Sequence, residues 1–209
     1  MDEARIRVMK HAAAGTRLRE SFFEENADLV VDAAKNLALC LARGGKILLC
    51  GNGGSAADAQ HLAAEFVNRF ELDRPPLSAI ALSTDTSILT SIGNDFAFNA
   101  IFAKQVLALG SPDDILIGIS TSGNSENVVR AFHAARENSL VTLGLTGRDG
   151  GKLAELSDIF INVPEESTAL VQEIHITIGH MLCGLVDYFL FQNAMALTPY
   201  LDNESPNDV

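Results

Sequence analysis

Short apolar runs alternate along most of the chain with longer segments whose apolar residues have helical spacing. The runs are nearly continuous, as in strands that are buried on both faces. They lie at Lys46–Cys50, Leu77–Ser83, Ile115–Ser120, Leu140–Leu145 and Ile159–Val163. This order predicts a five-stranded parallel sheet with helices on both sides, doubly wound through right-handed crossovers. Ligands bind such sheets at the carboxyl ends of the strands, so the polar loops there are the candidate sites.

Both ends of the chain are predicted to be helical. Apolar residues recur at spacings of three, four and seven within residues 1–43, and Gly44 and Gly45 follow as helix-ending glycines. A last helix is expected from about Ser167 to Phe191. Its predicted buried stripe is Val171, Ile174, Ile178, Met181, Leu182 and Leu185. The 209 residues therefore form one domain (1–209), with a helical region 1–43, an α/β core 44–191 and a polar tail 192–209.

Charge and composition exclude several classes of function. A net charge of −12 argues against a nucleic-acid partner, and it means that a phosphorylated ligand is held by local dipoles and hydroxyls. The three cysteines show no CxxC spacing, which is typical of buried thiols in a reducing compartment. No signal peptide is recognisable, and no apolar run approaches ~18 residues. We therefore expect a soluble cytoplasmic protein with no membrane segment.

A glycine-rich turn, Gly51-Asn52-Gly53-Gly54-Ser55, follows the first predicted strand. Glycines at a helix start allow a tight turn whose N–H groups point at an anion. Ser55 and Asp58 have capping-box spacing, so the helix is predicted to begin at Ser55. The dinucleotide-binding fingerprint would need a third glycine where Ala56 stands, which disfavours that cofactor. A plain strand–helix turn remains the alternative.

A second loop of the same kind follows Ile115–Ile119 and is rich in hydroxyls. It reads Ser120-Thr121-Ser122-Gly123-Asn124-Ser125. Gly118 and Gly123 have P-loop spacing, but Asn124 stands where that motif needs lysine, so nucleotide hydrolysis loses its main support. A neutral cradle of hydroxyls at a helix N-terminus suits one phosphate monoester. A serine-rich surface loop is the alternative.

Candidate reactive groups lie on two of the predicted helices. His61 and Glu65 are four residues apart, about 5–6 Å at Cβ on one helical face; a surface hydrogen-bonded pair is the alternative. Gln172, His175 and His180 interrupt the apolar last helix, where a lone histidine is more often a satisfied core residue. Gln172 and His180 are ~12 Å apart along the helix axis. They converge on one centre only if they lean together or come from different subunits, which points to an oligomeric site.

Several motifs in a fixed order carry a family resemblance. They are GNGGSAADAQHLAAE, IGNDFAFN, GISTSGNSENV, LTGRDGG and QEIHITIGH. Over Lys46 to Phe189 the chain resembles the sugar isomerase (SIS) family with its flavodoxin-like sandwich, and within it the phosphoheptose isomerases. The resemblance implies conversion of sedoheptulose 7-phosphate to D-glycero-D-manno-heptose 7-phosphate, in ADP-heptose and lipopolysaccharide core biosynthesis. It also implies a homotetramer with sites at subunit interfaces and one zinc ion per site.

The resemblance further implies residue roles. The phosphate contacts would be Ser55, Ser120, Ser122 and Ser125. The sugar would be lined by Asn52, Gly53, Gly54, Asn94, Asp95 and Thr121, together with Glu65 and Gln172. The zinc ligands would be His61, Glu65, Gln172 and His180. Glu65 as base and His180 as acid would move a proton through an enediol. The family often has an acidic residue and an arginine where this chain has Ala169 and Leu170.

Two other functions stay open at this point. The stretch NRFELDRPPLSAIALSTD also looks like non-enzymatic SIS tetramers that bind the replication initiator. Those relatives lack the glutamate and the last-helix histidine, so Glu65 and His180 favour the enzyme. The third possibility is an isomerase or sensor of another phosphosugar, such as an aminosugar phosphate, because pocket shape sets the length of the sugar.

Overall fold

The fold is centred on a parallel five-stranded sheet with the strand order β2-β1-β3-β4-β5. The structure is a computed structural model that describes residues 2–201. The strands are β1 (Ile47–Gly51), β2 (Ala79–Ala81), β3 (Ile115–Ser120), β4 (Val141–Gly147) and β5 (Ile159–Val163). The predicted parallel sheet is confirmed. The second strand is shorter than predicted, because β2 is an edge strand that pairs only with β1.

Helices cover both faces of this sheet. They are α1 (Glu3–Ala42), α2 (Gly54–Val67), α3 (Thr86–Asp95), α4 (Ile101–Leu109), α5 (Glu126–Glu137), α6 (Leu153–Leu156), α7 (Thr168–Asp187) and α8 (Thr198–Leu201). Short 3-10 turns span Phe98–Ala100 and Ala194–Ala196, and a π-helical turn spans Tyr188–Gln192.

The sheet separates two hydrophobic cores. Ile47 and Leu49 of β1 join the core formed with α1, α2 and α7. Leu48 and Cys50 face the other way, into the core formed with α4, α5 and α6. Alternate residues of β1 therefore pack into opposite cores, and this explains why the apolar run is continuous.

The strand order creates a switch point between β1 and β3. From β1 the chain crosses to β2 on one side, whereas β3 begins the other half of the sheet. Gly51 is level with Ile119 in the parallel register, so the loops after β1 and β3 open at the same edge. This crevice is where doubly wound sheets bind ligands.

Helices α1 and α7 pack along one another. The buried residues of α1 begin at Phe22 and continue through Cys40, so the second half of the predicted helical region belongs to the core. The segment Thr168–Gln192 is long and apolar enough to cross a membrane by length and composition, contrary to the sequence-based expectation. Half of its apolar window is buried inside the protein, where it packs against α1, α2 and the sheet, so we interpret it as a core helix.

Three local expectations were wrong. Helix α2 begins at Gly54 with Gly53 as its N-cap, one residue earlier than predicted and without a side-chain cap. Met181 is 39% exposed, so it does not belong to the buried stripe of α7. Leu197, within the predicted polar tail, is 2% exposed and packs into the core. Residues 202–209 of that tail lie outside the described residues.

Candidate active site

Two helix N-termini meet the crevice between β1 and β3. The N-cap of α2 is Gly53, whose φ of 57° and ψ of −121° place it in a region that glycine tolerates. The N-cap of α5 is Ser125, whose side chain makes no capping hydrogen bond. The first-turn N–H groups of a helix lack partners within that helix and carry partial positive charge. The crevice is therefore suited to an anion.

A reciprocal pair of amides joins the two loops. Asn52 Nδ2 donates to Asn127 Oδ1, and Asn127 Nδ2 donates to Asn52 Oδ1, both at 2.9 Å. Asn127 is only 4% exposed, and its Oδ1 also accepts from Val128 N. The side chain of Asn52, predicted to line the sugar, thus fixes one loop against the other. Asn127 was missed from the sequence, although a polar residue beside the inward-facing Val128 was an available signal.

The predicted phosphate serines occupy different places around this crevice. Ser120 Oγ donates to Ser125 Oγ at 3.0 Å, so these two hydroxyls face each other across their loop. Ser55 is buried in the first turn of α2. Ser122 is half-buried and its Oγ accepts the backbone N–H of Asn124 at 3.2 Å. Thr121 lies half-buried between Ser120 and Ser122.

The turn after β4 supports the serine loop from behind. Leu153 N donates to Gly123 O at 3.1 Å, and Lys152 N donates to Asn124 Oδ1 at 3.2 Å. Asn124 Nδ2 donates in turn to Ser122 O at 2.8 Å. The LTGRDGG motif therefore contributes to the site by holding the serine loop in shape.

His61, Glu65 and His180 come together where α2 packs against α7. His61 Nε2 and His180 Nε2 lie 2.9 Å apart, so one ring donates to the other. Glu65 Oε1 is 3.6 Å from His61 Nε2. Phe70 stacks on the ring of His180 at 5.6 Å between centroids. A carboxylate and two imidazoles at one place can exchange protons with a substrate.

The amide of Gln172 lies at the start of α2, away from the histidine pair. A Cβ atom added to Gly54 would be 2.7 Å from Gln172 Nε2, so the amide rests against the first turn of α2. His61 is seven residues further along α2, about 10 Å at the usual helical rise. One chain therefore brings Gln172 to the anion crevice and leaves it away from the histidine pair. Within residues 2–201, no group of three or more His, Cys, Asp or Glu is arranged to hold a metal ion.

Asp58 is a further acidic group beside the histidine pair. It is half-buried one turn before His61, and its Oδ2 has no hydrogen-bond partner among residues 2–201. Burial raises the pKa of this carboxyl, while the nearby His61 and His180 oppose the rise. The sequence pattern had assigned Asp58 to a helix cap that the structure does not contain.

Four further positions were singled out from the sequence: Asn94, Asp95, Ala169 and Leu170. Asn94 and Asp95 end α3, both exposed, and Asn94 Nδ2 donates to Asp95 Oδ1 at 2.9 Å. Among residues 2–201 no hydrogen bond joins them to the loops after β1 and β3, and their predicted contact with the sugar stays a prediction. Ala169 is exposed, whereas Leu170 is buried near Gly15 of α1.

His175 is a core residue. Its Nε2 donates to Thr146 O at 2.9 Å, while its Nδ1 has no partner among the described residues. Burial lowers the pKa of this imidazole to about 4, so the ring is neutral at physiological pH.

An apolar groove of about 570 Å³ opens between α1 and α7 beside His180. Its lining includes Phe23, Val30, Phe70, Met181 and Leu185. The candidate reactive residue His180 therefore borders an apolar surface that a single chain leaves uncovered.

Comparison with known proteins gives concordant matches. The SIS domain model matches residues 10–147. The phosphoheptose isomerase of Nitratidesulfovibrio vulgaris Hildenborough is 67% identical over 200 residues, which cover 96% of each chain. The solved phosphoheptose isomerase of Neisseria gonorrhoeae is 48% identical with a TM-score of 0.84, covering 88% of this chain and 98% of that one. The one from Francisella tularensis is 40% identical with a TM-score of 0.85 and the same coverage.

Proposed function

The chain belongs to the SIS-domain family and, within it, to the phosphoheptose isomerases, and from that premise we propose that it interconverts sedoheptulose 7-phosphate and D-glycero-D-manno-heptose 7-phosphate. The observation that carries this proposal is the 67% identity with a phosphoheptose isomerase over almost the whole chain. The structure adds a crevice suited to a phosphate and, further along α2, a carboxylate beside two imidazoles.

The two parts of the site match the two ends of such a substrate. The first turns of α2 and α5 and the hydroxyls of Ser55, Ser120 and Ser125 hold the phosphate, since the chain is too acidic overall to attract it. His61 lies about 10 Å along α2 from that turn. A sugar anchored by a terminal phosphate extends its carbonyl end in that direction.

Proton transfer is the work of Glu65 and His180. Glu65 removes a proton from C1 of the ketose while His180 protonates the C2 carbonyl oxygen, which gives an enediol. His180 then takes the proton from the O1 hydroxyl, and Glu65 returns its proton to C2, which leaves an aldehyde at C1. The proton count balances, and each group ends in its starting state.

Zinc is the metal that the donor atoms suit best. Imidazole nitrogen and carboxylate oxygen are common zinc donors. His61, His180 and Glu65 would hold the ion once the 2.9 Å contact between the two imidazole nitrogens opens, because the single chain does not arrange these side chains around a metal. A zinc ion supplies Lewis-acid polarisation of the carbonyl and hydroxyl oxygens. Gln172 would complete the set only from a neighbouring subunit, because in its own chain the amide rests against Gly54.

A homotetramer with sites at subunit interfaces accounts for two features of the single chain. The donor set is divided between two places, and the apolar groove beside His180 is open. A second copy of the chain in that groove would cover apolar surface and bring further side chains to the site. The proposed setting is the cytoplasm, in ADP-heptose and lipopolysaccharide core biosynthesis.

The test is to incubate the purified protein with sedoheptulose 7-phosphate, with and without a zinc chelator, and to assay for the aldose. Formation of the heptose 7-phosphate supports the proposal, and its loss in chelator supports the metal. Absence of conversion in both samples would favour the non-enzymatic, initiator-binding alternative. Faster turnover of an aminosugar phosphate would identify a different substrate.

A further inference from the structure

The guanidinium of Arg74 is buried where α2 and α7 end, outside the group of side chains that the reaction uses. Arg74 and Asp187 form an ion pair in which Nε donates to Oδ1 at 2.7 Å, with both side chains almost wholly buried. We propose that Arg74, together with Asp187, is a positioning residue that fixes Glu65 relative to His180. This inference rests on the isomerase function proposed above.

On one side, Arg74 holds the last turn of α2. Its Nη2 donates to Glu65 O at 3.0 Å and its Nη1 donates to Phe66 O at 2.7 Å. The last carbonyls of a helix lack partners within that helix and carry partial negative charge, which a planar, charged fork satisfies well. Because the carbonyl of Glu65 is one of the bonded groups, Arg74 fixes the backbone from which the proposed base projects.

On the other side, Arg74 holds the last residue of α7. Asp187 is 3% exposed, and its Oδ2 has no partner among residues 2–201. The helical segment continues beyond Asp187 through the π-helical turn Tyr188–Gln192, so Arg74 holds α7 at the point where its α-helical geometry ends. His180 is seven residues earlier and lies on the same face of α7, at about two helical turns.

The two helices are therefore joined at three levels. Gln172 lies against Gly54 at the start of α2, His180 meets His61 in the middle, and Arg74 links Asp187 to Glu65 at the end. Of these three contacts, only that of Arg74 includes a hydrogen bond to the backbone of Glu65, the proposed base. A displacement of 1 Å at a reacting group costs about 10²-fold in rate, so a loosened last turn of α2 should be visible in kcat.

The decisive variant removes both charges at once. In Arg74→Met/Asp187→Leu no buried charge is left without a partner, so we expect a cooperative melt within about 5 °C of wild type. We expect kcat for sedoheptulose 7-phosphate to fall by at least about 30-fold while KM changes less than about threefold, because the phosphate crevice is untouched.

Two further variants make the test specific. Arg74→Lys keeps a positive charge beside Asp187. The lysine side chain is shorter and lacks the planar fork of arginine, so it cannot bond both helix ends. The kcat of this variant should therefore also fall at least about tenfold with KM unchanged. Thr142→Val is the matched control: it removes buried hydrogen bonds to Leu156 O and Asp158 at the far edge of the sheet. It should lower the melting temperature and leave kcat within about twofold of wild type.

Each result decides the matter. No conversion by the wild-type protein would refute the proposed function, independently of Arg74. If the wild type is active and the double variant keeps kcat within threefold, or shows only a raised KM, the positioning role is overturned. If the double variant does not fold, Arg74→Lys decides in the same way, since a wild-type kcat there would exclude the role.

Discussion

The two halves of the candidate site are built by different means. The phosphate half, at the first turns of α2 and α5, consists of backbone groups and hydroxyls, and Asn52 and Asn127 lock its loops together within one chain. The reactive half consists of side chains from two helices, with His61 and His180 in contact and Gln172 displaced to the other half. Binding of the phosphate and transfer of the proton should therefore respond separately to mutation.

The contrast has a physical origin. A strand, a tight turn and a helix start make an anion site from neighbours in sequence, so the phosphate half needs little from the rest of the molecule. The reactive half exists only because α7 packs against α2, and its edge is an open apolar groove. Its geometry depends on helix packing and on whatever covers that groove.

The largest effect should come from Glu65→Gln. It removes the proposed base but keeps the shape of the side chain, so kcat should fall by at least about 10³-fold. Calorimetric titration with sedoheptulose 7-phosphate should show affinity within a few-fold of wild type, because the phosphate half is unchanged. Turnover within tenfold of wild type would refute the assignment of Glu65 as the base.

Metal removal should act on the reactive half alone. After dialysis against a chelator we expect at least about a tenfold loss of turnover, restored by added zinc, because a Lewis acid stabilises charge on the reacting oxygens. Calorimetry should show zinc binding that is lost in His61→Ala. Full activity in zinc-free protein, together with no zinc binding, would exclude the metal.

Ser120→Ala should act on the phosphate half. Loss of a hydroxyl donor to a charged oxygen costs about 1.5–3 kcal/mol, so KM should rise about 10- to 100-fold with kcat within about threefold. Ser157→Ala is the control, because this residue follows α6 and, among residues 2–201, its hydroxyl donates only to Leu153 O. A fall in kcat at unchanged KM in Ser120→Ala would show that the two halves are not separable in this way.

The smallest effect concerns stability, through His175. Its folded-state pKa of about 4 lies below the ordinary value of 6.5, so the unfolded chain binds more protons between these pH values. The stabilising contribution of the neutral ring is complete above pH 6.5 and is lost as the pH falls toward 4. At pH 5.5 the loss is about 1 kcal/mol, or roughly 2–4 °C in melting temperature. His175→Gln should show less of this acid sensitivity, measured by thermal melting at pH 7.5 and 5.5.

The apolar runs predicted every strand because burial on both faces leaves a direct mark on the sequence. The predicted element bounds were wrong where the pattern of buried apolar residues is weak. The run Leu77–Ser83 exceeds the edge strand β2 because only Ala79–Ala81 pair with β1. The capping pattern at Ser55 was misleading, since Gly53 is the N-cap and the helix begins earlier, while Asp58 lies near enough to His61 and His180 for them to lower its pKa.

The local elements of this protein could be predicted from the amino-acid sequence: the strands, the two loops that begin helices, and the face shared by His61 and Glu65. These follow from residues that are near one another in the chain. Three contacts became known only from the folded chain. His61 contacts His180, 119 residues away; Asn127 joins the two loops; and Gln172 lies in the phosphate half. Such contacts depend on strand order and on the register of α7 against α2, which no local pattern of residues encodes.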